Sequence, residues 1–250
     1  MAYQQMAYLY DHLMAHAPYD EWVAFTEKMF ADSGKTMKQV ADLGCGTGEI
    51  TTKLAMRGYE MVGVDNSQDM LTYAEHKASI SNLSIQWLHQ DLIELEGVRD
   101  LDAAISYCDV LNYITNPEQL EATFQNVYDS LKVGGLFLFD VHDFDFIMGN
   151  YLNETFAEVT DEASYIWFCT PGEEPGEMYH DLTFFYSEKE NYERFDEQHH
   201  QRTYPIEFYK EILLKSGFEN IKVYADFSTI PENIDENAAR IFFSATKGSR

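Results

Sequence analysis

Val40-Ala41-Asp42-Leu43-Gly44-Cys45-Gly46-Thr47-Gly48-Glu49-Ile50 is the stretch whose reading decides the fold. An apolar run ends in an acidic residue, three glycines follow at alternate positions, and a helical pattern then begins. Strand, glycine turn and helix in that order bring backbone N–H groups close to a small ligand at a helix N-terminus. Glycine is required where a Cβ would block the approach or where φ must be positive. The loop implies a nucleoside-like ligand.

Strands and helices alternate outward from this loop. Residues 40–43 read as a strand and 49–56 as a helix closed by Gly58. Residues 59–64 form the next strand, ending at Asp65, and 67–77 a helix with Ser67 as N-cap. Strands follow at 83–89 and 102–107, then a helix from Pro117 to about 131, with proline in its first turn. Gly134-Gly135 turns the chain into a strand at 136–141. Such alternation implies a parallel sheet covered on both faces. The rhythm changes near residue 150. Residues 154–204 are rich in Tyr, Phe, Thr and Trp, are broken at Pro171-Gly172 and Pro175-Gly176, and read as three or four antiparallel strands. A helix at 205–216, closed by Gly217, and strands at 218–226 and 240–246 then resume the α/β pattern. Upstream, residues 1–35 read as two helices broken near Pro18, the second with a stripe of Trp22, Phe25, Met29 and Phe30.

The chain of 250 residues carries 43 acidic and 17 basic residues, a net charge of −26. Nucleic acids need a cationic surface, and no Lys/Arg cluster of that kind exists here, so a small-molecule substrate is favoured. Cys45, Cys108 and Cys169 are odd in number and widely spaced; they form no disulfide framework and no metal-ligand pair. No signal peptide pattern and no membrane-length apolar run are present, and a reducing cytoplasm is the expected location.

A dinucleotide fingerprint reads Gly-x-Gly-x-x-Gly, whereas here the third glycine comes one residue early, at 44, 46 and 48. This spacing argues against a nicotinamide or flavin oxidoreductase. Asp65 closes the second strand, where a carboxylate would meet the adjacent hydroxyls of a ribose.

On these residues the sequence resembles the class I S-adenosylmethionine-dependent methyltransferases. Asp42-Leu43-Gly44-Cys45-Gly46-Thr47-Gly48 matches that family's first motif residue for residue. Val62-Gly63-Val64-Asp65 with Ser67-Gln68-Asp69-Met70-Leu71 matches the second. Gln90-Asp91-Leu92 looks like the segment that meets the adenine, and Leu131-Lys132-Val133-Gly134-Gly135 like the turn into the fifth strand. Tyr8-Leu9-Tyr10-Asp11, Tyr19-Asp20-Glu21-Trp22, Asp109-Val110-Leu111-Asn112-Tyr113 and Arg194-Phe195-Asp196-Glu197-Gln198-His199 extend the resemblance to a bacterial subgroup of small-molecule-type methyltransferases. The layout is also similar to sugar and glycine N-methyltransferases, in which N-terminal aromatics close over the cofactor and an inserted sheet helps form the acceptor site.

The resemblance implies a Rossmann-like seven-stranded, mostly parallel sheet with helices on both faces, plus a small antiparallel insertion. It divides the chain into an N-terminal helical lid (1–35), a cofactor-binding core (36–150), the insertion (151–204) and the completion of the core sheet (205–250). Asp42 and the loop of Gly44, Cys45, Gly46 and Gly48 would face the methionine end of S-adenosylmethionine, with Cys45 as a small residue between glycines. Asp65 would hold the ribose, Asn66 and Met70 would flank the adenine, and Asp91 and the Leu92 backbone N–H would bond it. Tyr107 and Cys108 would line the pocket, and Tyr10 would serve as a lid.

Methyl transfer from a sulfonium is an in-line displacement by an already activated donor. The protein mainly positions the acceptor and excludes water. A base is needed only if the acceptor carries a proton that must leave. His142, after the fifth strand, and His199 and His200, on opposite faces of an inserted strand, are the candidates for base or orienting group. Asp109 and Asn112 either contact a ligand or cap the loop before Pro117, and Trp22 belongs to the core. The expected enzyme methylates a small molecule, on N or O ahead of C. The competing readings are a protein or RNA methyltransferase and a cofactor-binding regulatory module without turnover. The aromatic insertion either lines the acceptor pocket or forms a homodimer contact.

Overall fold

Apolar residues at helical spacing give Tyr19–Asp32 (α1) one buried stripe, and Trp22, Phe25, Met29 and Phe30 all lie in the core. The computed structural model describes residues 17–160, 163–188 and 191–249. After α1 come Gln39–Leu43 (β1), Glu49–Met56 (α2), Glu60–Asp65 (β2), Gln68–Ile80 (α3) and Gln86–His89 (β3). Leu101–Ser106 (β4), Pro117–Ser130 (α4), Leu131–His142 (β5) and Phe144–Asn150 (α5) follow. Thr155–Val159 (β6), Ala163–Pro171 (β7), Glu177–Glu188 (β8) and Asn191–Arg202 (β9) precede Ile206–Ser216 (α6), Phe218–Ala225 (β10) and Arg240–Lys247 (β11). Two of the caps are those the sequence specifies, Ser67 and Gly217, and Asn116 is a third. The Ser67 side chain accepts from the Met70 N–H, Asn116 accepts from Glu118 and Gln119 ahead of Pro117, and Gly217 ends α6 at φ +102°.

The main sheet has seven strands in the order β10-β11-β5-β4-β1-β2-β3. β1 to β5 are parallel, and β11 inserts antiparallel between β5 and β10. Residues alternate between its faces. On β5, Leu136 and Leu138 join Trp22, Phe25, Ile50 and Leu54 in one core, while Phe137 and Phe139 join Phe124, Tyr209 and Phe243 in the other. Burying one such phenylalanine contributes roughly 1.5–3 kcal/mol. The four described inserted strands form a separate antiparallel sheet, β6-β7-β8-β9. α5 ties it to the core through Ile147, packed with Cys169 and Met178.

The strand order reverses between β1 and β4. In open α/β sheets, ligands bind in the crevice outside the carboxyl ends of strands at such a switch point. Six residues of α1 are buried in the core, and the first part of the expected lid lies outside the described residues. Tyr10 lies outside the described residues.

Candidate active site

The glycine loop leaves β1 at the switch point. Gly44 has φ +79°, and a Cβ there would come within 2.4 Å of Val110 Cγ1, so this position admits only glycine. Gly46, at φ +53°, faces open space. Its N–H donates to Asp65 Oδ2 at 2.8 Å, and the Ser67 N–H donates to Asp65 Oδ1 at 2.8 Å. Burial pushes the Asp65 carboxyl upward, and these backbone donors act against that shift. Asp42 sits at the floor of the loop, bonded by Thr51 Oγ1 at 2.6 Å; its burial pushes its carboxyl up to about 7. Asp91 accepts from the Ile93 N–H at 2.9 Å and opens a short 3₁₀ turn at Leu92–Glu94.

The loop after β4 forms the opposite wall. Cys108 and Asp109 both adopt left-handed backbone, at φ +57° and +54°. Such geometry costs about 1–2 kcal/mol per non-glycine residue, so the surroundings must hold it. They do so through a buried charge cluster. The Asp109 N–H donates to Asp140 Oδ1 at 2.8 Å, and Trp22 Nε1 donates to Asp140 Oδ2 at 2.5 Å. Arg240 donates from one guanidinium nitrogen to Asp140 and from the other to Asp109, both at 2.9 Å. The antiparallel register of β11 places Arg240 opposite His142, whose Nε2 lies 3.5 Å from Asp109 Oδ2. Burial opposes the charge on Asp109, but His142 and Arg240 hold its carboxyl well below the usual range. Burial pushes Asp140 upward, and Arg240 counters it.

A second chain of hydrogen bonds enters from the inserted sheet. Trp167 Nε1 donates to His180 Nδ1 at 2.9 Å, which leaves the proton of a neutral imidazole on Nε2. That nitrogen donates to Gln201 Oε1 at 3.1 Å, and Gln201 Nε2 donates to Asp109 Oδ2 at 2.9 Å. Burial pushes His180 down to about 4, which agrees with a neutral ring. One residue further out, Tyr113 meets His199 Nδ1 at 3.1 Å, and His199 Nε2 meets Glu197 Oε2 at 3.1 Å.

The sequence-derived candidates separate accordingly. Asp42, the glycine loop, Asp65, Asn66, Met70, Asp91 and Leu92 lie on the β1–β3 side of the switch point, and Cys108 and His142 on the β4–β5 side. Three expectations are corrected. Tyr107 is 2% exposed, bonds Thr26 at 2.9 Å and packs into the core instead of lining a pocket. His200 stacks on Tyr179 at 4.4 Å and bonds Glu177 at 2.7 Å, on the opposite face of β9 from His199, so strand alternation removes it from the site. Asn112 is fully buried and structural, bonding the His142 N–H and the Arg202 carbonyl; Asn116 does the helix capping. Sequence reasoning gave Tyr113 and Glu197 no role of their own, although both lie in segments that carry the resemblance, and it passed over Asp140, His180, Gln201 and Arg240. Of these four, Asp140 carried a signal: an acid inside an otherwise apolar strand.

A seven-stranded sheet with β11 antiparallel beside β5, a glycine turn at the switch point and an acid closing the second strand are the layout of the class I S-adenosylmethionine-dependent methyltransferases. The chain belongs to that family, and a methyltransferase domain model matches residues 40–135. It is 40% identical to "Putative methyltransferase YqeM" of Bacillus subtilis (strain 168) over 248 residues, 99% of this chain and 98% of the relative. A second relative with "putative methyltransferase" in its name, from Geobacillus sp. (strain WCH70), is 40% identical over 249 residues, covering 99% of this chain and all of the relative. The crystal structure of an S-adenosylmethionine-dependent methyltransferase from Clostridium acetobutylicum ATCC 824 superimposes over the full length of both chains, with TM-score 0.90 and 29% identity.

The residues present fit this cofactor. Asp65 accepts from the Gly46 and Ser67 N–H groups, with the Asn66 N–H acting on it as well, and lone-pair capacity remains for a ribose hydroxyl, whose donation would offset its burial. The Gly46 cradle is open on the side a Cβ would fill.

Proposed function

We propose that this chain methylates a small molecule on nitrogen or oxygen, bound between the Asp109–Tyr113 segment and the inner face of the inserted sheet. The observation that carries this reading is the double attachment of β9 to the β4 loop, Gln201 to Asp109 and His199 to Tyr113. It supports reading residues 151–204 as a wall of the acceptor site beside the cofactor loop, with residues 36–150 and 205–250 as the cofactor-binding core. The acidic chain, with 43 carboxylates against 17 cations, favours a small or cationic acceptor over RNA.

When bound, S-adenosylmethionine supplies a methyl group on positively charged sulfur, an electrophile needing no further activation. Asp65 would hold the ribose, Asp91 and the Leu92 N–H the adenine, with Asn66 and Met70 beside it, and the glycine loop and Asp42 the methionine end. The charge cluster around Asp109 keeps the β4 loop in its left-handed conformation, and the inserted sheet excludes water.

Calorimetry with S-adenosylhomocysteine tests the cofactor assignment. Binding at micromolar strength is expected, and no binding would refute it. A metabolite panel assayed for S-adenosylhomocysteine release then tests the acceptor class. Transfer of labelled methyl to protein in a lysate, with no metabolite methylated, would favour a protein methyltransferase.

A further inference from the structure

The geometry points to Tyr113 as the residue that meets the acceptor, its phenolic oxygen taking the acceptor's proton through a relay to His199 backed by Glu197. This rests on the methyltransferase reading and narrows it: the acceptor atom arrives carrying a proton, as an ammonium or a hydroxyl does.

Val110–Tyr113 is a 3₁₀ turn, in which side chains three apart eclipse. Val110 packs where a Gly44 Cβ would be, so its side of the turn faces the glycine loop, and Tyr113 lies one turn along on that same side. Tyr113 is also 48% exposed, unlike its neighbours Leu111 and Asn112, which are buried. It therefore stands between the cofactor loop and the inserted sheet with about half of its surface open.

Its hydroxyl is oriented by chemistry. A carboxylate only accepts, so the Glu197 contact at 3.1 Å places the His199 proton on Nε2. Nδ1 is then an acceptor, and the Tyr113 O–H donates to it at 3.1 Å. Their rings meet edge to face at 5.8 Å. The Gln201 amide also donates toward the Tyr113 oxygen, which keeps one lone pair for a further partner. Desolvation of the hydroxyl, packed against His199, pushes this phenol up; the charges of Asp109 and Glu197 reinforce the shift and a hydrogen bond from Gln201 opposes it, so the resting group is neutral. A neutral phenol takes a proton only by passing its own onward.

The step balances. The acceptor's N–H or O–H bond breaks and its electron pair stays on the acceptor atom. The proton reaches Tyr113 Oη as the phenolic hydrogen moves to His199 Nδ1. The imidazolium so formed keeps its Nε2–H on Glu197, which compensates the charge. Tyr113 is the catalytic residue; His199 and Glu197 are positioning residues.

Sinefungin provides a test that needs no acceptor, since an amine-bearing carbon in it replaces the methyl-bearing sulfur. Its ammonium would donate to Tyr113 Oη. Calorimetry is run with sinefungin and S-adenosylhomocysteine on wild type, Tyr113→Phe, His199→Leu and His199→Gln. Tyr113→Phe should weaken sinefungin by at least about tenfold and leave S-adenosylhomocysteine within about twofold. His199→Leu should weaken sinefungin, and His199→Gln, whose amide oxygen still accepts from Tyr113, should restore it. An unchanged sinefungin-to-S-adenosylhomocysteine ratio in Tyr113→Phe overturns the inference, as does ¹⁵N NMR showing the His199 proton on Nδ1. Failure of wild type to bind S-adenosylhomocysteine overturns the methyltransferase reading itself. Binding of S-adenosylhomocysteine by each variant shows that the variant has folded.

Discussion

Replacing Arg240 with methionine keeps most of the volume and removes the cation that two buried acids share. Asp140 is fully buried, and Asp109 is 19% exposed. Without Arg240, Asp140 retains only the Trp22 indole and the Asp109 N–H, and Asp109 retains Gln201 and His142. Leaving a buried charge unpaired costs about 3–5 kcal/mol, against a total stability of about 5–15 kcal/mol for a typical domain. The loss should be read from urea unfolding at pH 8, with Asp140→Asn and the double variant completing the cycle. The double variant should be more stable than Arg240→Met alone, because one uncompensated charge is gone. The sign of the pH dependence follows. Without the cation, the folded-state pKa of Asp140, already raised by burial, rises further above its unfolded value. The penalty is therefore full above that raised value and shrinks as pH falls toward about 4. A loss under about 1 kcal/mol at pH 8, or one that grows on acidification, would refute the assignment of Arg240 as the organiser of this cluster.

Three further outcomes are expected. His180 is held near 4 in the fold against 6.5 unfolded, so stability is full above about 6.5 and falls by at most about 3 kcal/mol as pH drops to 4; His180→Gln should flatten that limb of the urea-midpoint profile. Asp42, raised to about 7, makes the fold lose stability as pH rises from about 4 to 7, so the advantage of Asp42→Asn over wild type should grow across that window and then level. A Cβ at Gly63 would lie 2.3 Å from the Trp87 ring, so Gly63→Ala should cost about 1–3 kcal/mol of unfolding free energy, and Trp87→Leu in the same chain should recover part of it.

The cofactor half of the site is legible because backbone geometry imposes it. Gly44 has Val110 against it and Asp65 ends a strand, and both constraints act within a few residues of a recognisable turn. The proposed acceptor half is written in long-range pairs. Tyr113 and His199 are 86 residues apart, Asp109 and Arg240 131, and no local period marks either. Among the elements, α5 escaped notice because its seven residues bury only Ile147 and so show no stripe. β5 starts at Leu131, ahead of the expected 136, because Gly134 at φ +75° lets the chain kink and still pair Leu131 with Leu101. Tyr107 was misplaced because a tyrosine just past a strand end looks the same in sequence whether it turns to the cleft or, as here, to Thr26.

The insertion of β11 between β5 and β10 also sets a timetable for synthesis. Asp140 precedes its β11 partner Arg240 by 100 residues, so at about 5–20 residues per second the nascent β5 waits roughly 5–20 s for the strand that covers its flank. During that interval Leu136–Phe139 present a bare apolar edge, the kind of surface on which chains join one another. Slower elongation lengthens the exposure, so soluble yield should depend on the translation rate of the segment between residues 142 and 240 more than on that of any other stretch.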